Sequence, residues 1–363
     1  MPYKIHKQIS ELRQSIHERM SRVRIEASAV RTTVAVSLPL IAGQASGFGG
    51  IGMMAGLGAL WICIADKEGS TLTSILCTCA AVTLVAYTAM VVGPIAWLSV
   101  SIMFVLGYVT GFSLEVNDPF QYGANSCALS YAIILGLHSD VIQIPYNILD
   151  LCAGGIWTIP LTLLLWKYSR KTDSSTITSE FRNISIRRTK LQILKLWSRV
   201  SDSISHHSTG FFRAINFGLV TAFTVVIYKS FHFEHGYWLT LTAIVVLKQD
   251  YLGTKTRTFE RVTGSILGGT IAIFVAAWCK NSIMLDIFLV LSCLVAFSYL
   301  PHNYTKYAAF LTIFVVLLIN MTRPGNWEIA VYRVVNTVSG GILALLFSYI
   351  LNQIELRQRT EPL

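Results

Sequence analysis

Four cations stand within fourteen residues of the sequence, directly after a long apolar run. They are Lys248, Lys255, Arg257 and Arg261, and the carboxylates among them are Asp250 and Glu260. This surplus of positive charge would attract small anions toward the end of the apolar run. The alternative interpretation is an ordinary polar loop, in which Asp250 only caps the helix that follows.

Other single charges stand at the ends of apolar segments or inside them. Arg31 and Arg213 each open such a segment, Asp66 closes one, and Arg333 lies a turn inside the last. A charge within a membrane segment is costly and is commonly functional. For Arg31 and Arg213 the alternative is an arginine that reaches out to lipid phosphates, and for Arg333 an interfacial position. We therefore predict a substrate or ion pathway formed by Arg31, Asp66, Arg213, Lys248, Asp250, Arg257, Arg261 and Arg333.

The composition places these residues in a membrane protein. Of 363 residues 53% are hydrophobic and 13% are charged, whereas a soluble domain is about a quarter charged. Twelve apolar segments follow one another at 31–48, 50–65, 71–91, 94–112, 121–137, 148–166, 213–230, 237–247, 258–278, 283–300, 305–321 and 329–350. Because a backbone in lipid must satisfy its own hydrogen bonds, we predict an all-α membrane protein with about twelve transmembrane helices. The first segment follows a long polar stretch, which favours an uncleaved anchor over a signal peptide.

Landmarks recur in the same order in the two halves of the chain. Arg31 corresponds to Arg213, Asp66 to Asp250, and the pair Gly154–Gly155 to Gly340–Gly341. This order indicates an internal duplication, with two parallel six-helix repeats joined by a cytoplasmic linker. The predicted units are a cytoplasmic amphipathic helix at 1–30, repeats at 31–166 and 213–352, the linker at 167–212 and a cytoplasmic tail at 353–363.

The distribution of Lys and Arg predicts the orientation. With a cytoplasmic N-terminus, 25 of the 29 Lys and Arg residues fall on the inner side, so both termini and the linker are predicted to be cytoplasmic. The net charge of +10 then reflects topology and contact with anionic membrane lipids. No basic–aromatic motif indicates a nucleic-acid partner.

Motifs of enzymes and cofactor sites are missing from the sequence. It has no phosphate-binding loop and no hydrolase nucleophile motif, so we expect neither an enzyme nor a cofactor. His232 and His235 lack the further ligands of a zinc site, so no metal is expected. Glycines four residues apart predict close helix packing, for which the candidates are Gly52, Gly56, Gly264, Gly268 and Gly340.

The stretch "YWLTLTAIVVLKQDYLGTKTRTFERVTGSILGG" resembles the FUSC family of fusaric-acid-resistance-like proteins, which includes bacterial aromatic acid exporters. "YRVVNTVSGGILALL", with Arg333 and Gly340, is similar to a later part of that family. The resemblance is stronger over 210–350 than over 20–165. It implies an inner-membrane transporter that exports small organic anions, aromatic carboxylates among them, with the proton motive force as energy source. Asp66 and Asp250 are then the candidates that carry the proton.

Two other functions stay open at this point. One is an anion channel of the same architecture, which needs no coupling residue. The other is a non-transporting membrane component, for instance in envelope assembly. The identity of the anion and the formation of a homo-oligomer are also left open by the sequence.

Overall fold

The computed structural model describes residues 27–65, 72–116, 119–137, 141–169, 209–279, 282–322 and 327–360. Over these ranges the ordered elements are all helical. The twelve α-helices are α1 (Ala27–Ala45), α2 (Gly49–Ala65), α3 (Leu72–Val92), α4 (Ala96–Val116), α5 (Pro119–Gly136), α6 (Ile144–Ser169), α7 (Thr209–Ser230), α8 (Tyr237–Val246), α9 (Tyr251–Trp278), α10 (Ser282–Tyr299), α11 (Tyr304–Thr322) and α12 (Glu328–Thr360). The predicted amphipathic helix and most of the linker lie outside the described residues.

Six of these helices are long and apolar enough to cross a membrane, judged by length and composition: α3, α4, α6, α7, α9 and α12. Four others, α2, α8, α10 and α11, are also apolar, but their apolar stretches are shorter than those of the six. The ten residues of α8 span only about 15 Å, half of a ~30 Å hydrocarbon core. Nearly all of α8 is buried among other helices, so its short length does not expose backbone groups to lipid.

Two helix ends differ from the apolar pattern. α9 begins at Tyr251, inside the cationic stretch, because the Asp250 side chain accepts a hydrogen bond of 2.8 Å from the Gly253 amide and caps the helix. α12 continues to Thr360, through residues predicted to form a tail. Because these helix ends consist of polar residues, the apolar pattern of the sequence did not predict them.

Most of the helix packing within the first half has a counterpart in the second half. Two of the pairs that pack within the first half, α2–α5 and α3–α4, lack a counterpart of similar extent in the second half. The other seven are α1–α2, α1–α6, α2–α3, α2–α6, α3–α5, α3–α6 and α4–α5. Adding six to each helix number gives pairs that also occur, namely α7–α8, α7–α12, α8–α9, α8–α12, α9–α11, α9–α12 and α10–α11. The halves meet through α4–α7 and through the corresponding pair α1–α10, and also through α5–α8.

The glycines singled out in the sequence lie at contacts between helices. A Cβ atom added to Gly264 would lie 2.5 Å from the Thr305 carbonyl oxygen of α11, and one added to Gly268 would meet the Ala309 carbonyl. Gly340 of α12 similarly faces the Leu239 carbonyl of α8 at 2.5 Å. In the first half, Gly52 faces the Pro39 carbonyl of α1 at 2.5 Å, and Gly56 faces the Leu40 side chain of α1 at 3.0 Å. Such close approach is possible because glycine has no side chain.

Candidate functional site

Two arginines from different helices lie buried beside each other in the second half. Arg261 of α9 and Arg333 of α12 are each only 3% exposed, and they lie within electrostatic range of one another. The Nε atom of Arg261 and the Nε and Nη1 atoms of Arg333 are buried without a hydrogen-bond partner among the described residues. Two unsatisfied guanidinium groups therefore face the same buried region.

Aromatic rings line this region. The guanidinium carbon of Arg333 lies 5.0 Å from the Trp238 ring centroid, and that of Arg257 lies 3.2 Å from the Tyr304 ring centroid. Tyr304 and Tyr307 are both within electrostatic range of Arg333. Such cation–π contacts stabilise a buried cation in part, but they do not satisfy its N–H donors. We call Arg257, Arg261 and Arg333, with Trp238, Tyr304 and Tyr307, the arginine cluster.

The positive charge of the arginine cluster is only partly balanced. Glu260 approaches Arg257 at 3.4 Å, but within the described part of the chain no carboxylate forms an ion pair with Arg261 or Arg333. An uncompensated buried charge costs several kcal/mol. A small anion that entered this region would supply the missing charge and accept the unused hydrogen bonds.

A cavity of about 180 Å³ lies at the end of α8 where the helix gives way to Lys248. We call it the Lys248 cavity, and its charged lining residues are Arg213, Lys248, Asp250 and Glu355. Arg213 and Glu355 form a two-pronged ion pair, with distances of 3.1 and 3.2 Å. Burial and, to a smaller extent, the Arg257 charge lower the pKa of Lys248 to about 8, against an opposing effect of Glu260. Lys248 therefore lies close enough to Arg257 to connect this cavity electrostatically with the arginine cluster.

A larger cavity, of about 720 Å³, lies at the opposite end of α8. We call it the Lys229 cavity, and it is formed by the ends of α3, α5 and α7, the turn before α4, and the loop 231–236. His235 of this loop lines the cavity and stacks on Trp238, with ring centroids 4.8 Å apart. Trp238 thus contacts His235 and also Arg333. The arginine cluster therefore lies between the two cavities, with its Trp238 in contact with His235 of one cavity and Lys248 of the other within electrostatic range of Arg257.

The structure brings together half of the residues predicted to line a pathway. Lys248, Arg257, Arg261 and Arg333 are neighbours, although Arg333 is far from the others in sequence. Arg213 and Asp250 lie at the Lys248 cavity, where Asp250 is exposed and caps α9. Arg31 is buried in α1 and is not part of either cavity lining, and Asp66 lies outside the described residues.

Several residues of this site were not found in the sequence. Tyr304 and Tyr307 stand three apart on one face of α11, a spacing that core residues share, so nothing distinguished them. Lys229 lies near the end of an apolar run whose one other charge is Arg213 at its start, a position that could have marked it as functional. The first-half counterpart of α9 is α3, which contains no Lys or Arg. The arginines of α9 in the arginine cluster therefore have no equivalent in α3.

The helices and this site define a class of protein: a multi-pass helical membrane protein with a buried cluster of arginines. The comparison with known families agrees with that class. Residues 221–347 match a family model described as "Fusaric acid resistance protein-like". The resemblance predicted from the sequence is confirmed, and all six residues of the arginine cluster fall within the matched segment.

Curated relatives match a similar share of the chain. The inner membrane protein YccS of Escherichia coli K12 is 29% identical over 149 residues, which are 41% of this chain and 21% of that protein. "Uncharacterized protein ORF2" of Neisseria gonorrhoeae is 24% identical over 149 residues, 41% of this chain and 36% of its own. An uncharacterised protein of Haemophilus influenzae is 25% identical over 181 residues, 49% of this chain and 25% of its own. This chain therefore spans about a fifth to a third of these relatives' length, and no solved structure matches it significantly.

Proposed function

We propose that this chain is a transporter of the bacterial inner membrane that exports small organic anions through the arginine cluster. The observation that carries the proposal is the buried pair Arg261 and Arg333, whose unused N–H donors have no carboxylate partner among the described residues. The side chains of this region suit an aromatic carboxylate, since its charge would bind the guanidinium groups and its ring would pack on Trp238 or Tyr304.

The proposed path runs along α8. An anion would enter at the Lys248 cavity, pass Arg257 and the buried pair, and leave past Trp238 into the Lys229 cavity. Successive residues on this path are in ring contact or lie within electrostatic range of one another. A short helix enclosed by protein is common at transport sites, because its ends can carry polar groups to the membrane interior.

The proposed architecture has twelve spans in two parallel repeats, with both termini in the cytoplasm. Twelve described helices support it, and so does the recurrence of the same helix pairs in each half. In this orientation the Lys248 cavity faces the cytoplasm and the Lys229 cavity faces outward.

The orientation of α8 can be tested with two single cysteines in a chain whose own cysteines are replaced. His232→Cys precedes α8 and Lys255→Cys follows it, and both positions are exposed. A membrane-impermeant maleimide added to intact cells should label Cys at 232 and not at 255. After the cells are broken, both should react. Equal labelling of the two in intact cells would contradict the twelve-span arrangement, since α8 would not separate them.

Transport itself is tested with purified protein in proteoliposomes, by the flux of radiolabelled benzoate with and without an imposed pH gradient. A proton-driven exporter should move benzoate against its gradient when a pH gradient is present. An anion channel would carry benzoate only down its electrochemical gradient. No flux above protein-free liposomes, for benzoate and for a panel of other organic anions, would refute both and favour a non-transporting role.

The substitution Asp250→Asn tests whether Asp250 carries the proton or only caps α9. Asparagine caps helices about as well as aspartate, so α9 should keep its start and the protein its thermal stability. If Asp250 carries the proton, the variant should lose uphill transport and retain downhill flux. Because Asp66 is the other candidate, Asp66→Asn is the matched comparison. Wild-type uphill transport in both variants would remove these carboxylates from the mechanism.

The charge state of Lys248 should make the affinity for the anion depend on pH. Because its pKa is about 8, Lys248 carries its charge below that value and loses it as the pH rises through it. The apparent affinity for benzoate on the Lys248 side should therefore fall by several-fold between about pH 7 and pH 9. Lys248→Met should show the lower affinity throughout and should lose the pH dependence, while Lys248→Arg should keep the higher affinity at both pH values. An unchanged pH profile in Lys248→Met would contradict this role.

A further inference from the structure

The Lys229 cavity has the size and composition of a binding site in its own right. Its volume of about 720 Å³ lies within the usual range for small-molecule sites, about 300–1,000 Å³. Its walls come from both halves of the chain, since α3 and α5 form one side and α7 and α8 the other. Met90, Ile134, Leu135 and Phe233 make most of the lining apolar.

Two polar side chains in this lining have unused hydrogen-bond donors. The Lys229 ammonium binds the Gly93 carbonyl and, at 3.1 Å, the Ser99 hydroxyl, which leaves one of its three N–H groups without a described partner. The Tyr228 hydroxyl is buried and has no hydrogen-bond partner among the described residues. Tyr228 as a whole is 8% exposed, so this is a buried donor beside a cavity. A ligand with an acceptor group would satisfy both donors.

The charges around the cavity favour an anion. Among the described lining residues, Lys229 is the one lysine or arginine and Glu234 the one carboxylate, and the Glu234 side chain hydrogen-bonds with Tyr332. The other titratable groups of the described lining are His232, His235, Tyr228 and Tyr237. Because the Glu234 carboxylate already has a partner in Tyr332, the Lys229 ammonium and the Tyr228 hydroxyl in this apolar chamber suit a monoanion with an apolar body.

The loop that closes the cavity has a specific and strained conformation. His232 and His235 have positive φ angles of 51° and 54°, which are uncommon for residues other than glycine. Hydrogen bonds from the Phe233 amide to the Tyr228 carbonyl and from the Gly236 amide to the Phe233 carbonyl, 3.1 and 3.0 Å long, hold this conformation. Backbone strain of this kind costs about 1–3 kcal/mol per residue and clusters at ligand sites.

We infer that the Lys229 cavity is a second ligand site, separate from the arginine cluster, which binds a small amphipathic carboxylate through Lys229 and Tyr228. The carboxylate accepts hydrogen bonds from the ammonium and the phenol, and the apolar body packs against Met90, Ile134 and Leu135. This site does not depend on transport, because a ligand could occupy it whether or not it passes Trp238. The carboxylate could belong to a soluble aryl acid or to a membrane fatty acid.

The test uses the full chain in lipid nanodiscs with 4-benzoylbenzoate, a carboxylate that cross-links to its binding site under ultraviolet light. Peptide mapping should show labelling at Met90, at 134–137 or at 228–237, and an excess of benzoate or oleate should suppress it. Stronger suppression by benzoate assigns the site to soluble aryl acids, and stronger suppression by oleate assigns it to fatty acids.

Variants make the test specific for the cavity. Lys229→Met should reduce labelling there by about tenfold or more, because a charge-assisted hydrogen bond is lost, and Lys229→Arg should retain most of it. Ala96→Trp, at an exposed position of the cavity rim, should block labelling without removing either donor. Lys306→Met, at an exposed lysine elsewhere, is the matched control and should leave labelling unchanged.

Labelling absent from these peptides, or equal in the wild type, Lys229→Met and Ala96→Trp, would overturn the inference. This outcome differs from failure of the proposed function. A labelled cavity in a protein without flux would refute the transporter and leave this site, whereas flux through a protein without labelling here would refute only this site.

Discussion

Replacement of Arg333 by methionine should produce a protein that transports no measurable benzoate and yet is more stable than the wild type. Methionine fills a similar space without charge, so it removes a buried guanidinium that has two unsatisfied nitrogens. Because a buried unpaired charge is costly, its removal commonly stabilises a fold. The loss of the Trp238 contact offsets part of the gain, and we expect the midpoint of thermal unfolding to rise by about 2 °C or more. Benzoate flux should fall by about 100-fold, since the anion loses a partner in the membrane interior.

Arg213→Met is the matched control for stability. Arg213 has a carboxylate partner, so its removal leaves Glu355 partly buried and unpaired. The thermal midpoint of Arg213→Met should therefore fall, whereas that of Arg333→Met should rise. Arg333→Lys should keep some flux, because it keeps the charge but loses the planar group that binds a carboxylate with two hydrogen bonds. A destabilised Arg333→Met that transports at the wild-type rate would show that Arg333 is a structural residue.

Adjacent glycines of α9 should respond in opposite ways to the same substitution. A Cβ atom on Gly268 would collide with the Ala309 carbonyl of α11, whereas a Cβ atom on Gly269 would meet the Val334 side chain at 3.4 Å and Ala330 at 3.8 Å, which are ordinary contacts. Gly268→Ala should therefore force α9 and α11 apart and lower the thermal midpoint by several degrees. Gly268→Leu should give little or no folded protein. Gly269→Ala should stay within about 1 °C of the wild type, with a small gain from helix propensity.

The measurement is the yield of monodisperse protein in size-exclusion chromatography, followed by thermal unfolding of each variant. Equal stability of Gly268→Ala and Gly269→Ala would mean that α9 and α11 are farther apart than described. Because Arg257 and Arg261 lie on α9 and Tyr304 and Tyr307 on α11, this contact also determines the geometry of the arginine cluster. Any folded Gly268→Ala protein should therefore bind benzoate more weakly as well.

The family match bears on how far these results extend to relatives. The matched segment, 221–347, contains Trp238, Lys248 and the whole arginine cluster, but not Arg213 or Glu355. The curated relatives are three to five times as long as the part they share with this chain, so only that part of each relative can be compared with it.

Much of the helical structure follows from the sequence alone. Helices formed at all twelve predicted apolar segments, most of them ending within a few residues of the prediction. The physical reason is local: an apolar run of this length can satisfy its backbone in lipid only as a helix, and the pattern ends where polar residues begin. α9 and α12 deviated because capping and polar turns extend a helix without any apolar residue.

The buried site was decided by the tertiary structure. Two apolar segments lie between Arg261 and Arg333 in the sequence, and only the packing of α9 against α12 makes them neighbours. The sequence left open whether Asp250 caps a helix or lines the pathway, and the hydrogen bond that it accepts from the Gly253 amide shows the cap. The contacts of Trp238 with His235 and with Arg333 also depend on how α8 and α12 pack. A sequence pattern records which residues are apolar or charged, whereas the electrostatics of a buried charge depend on which side chains surround it.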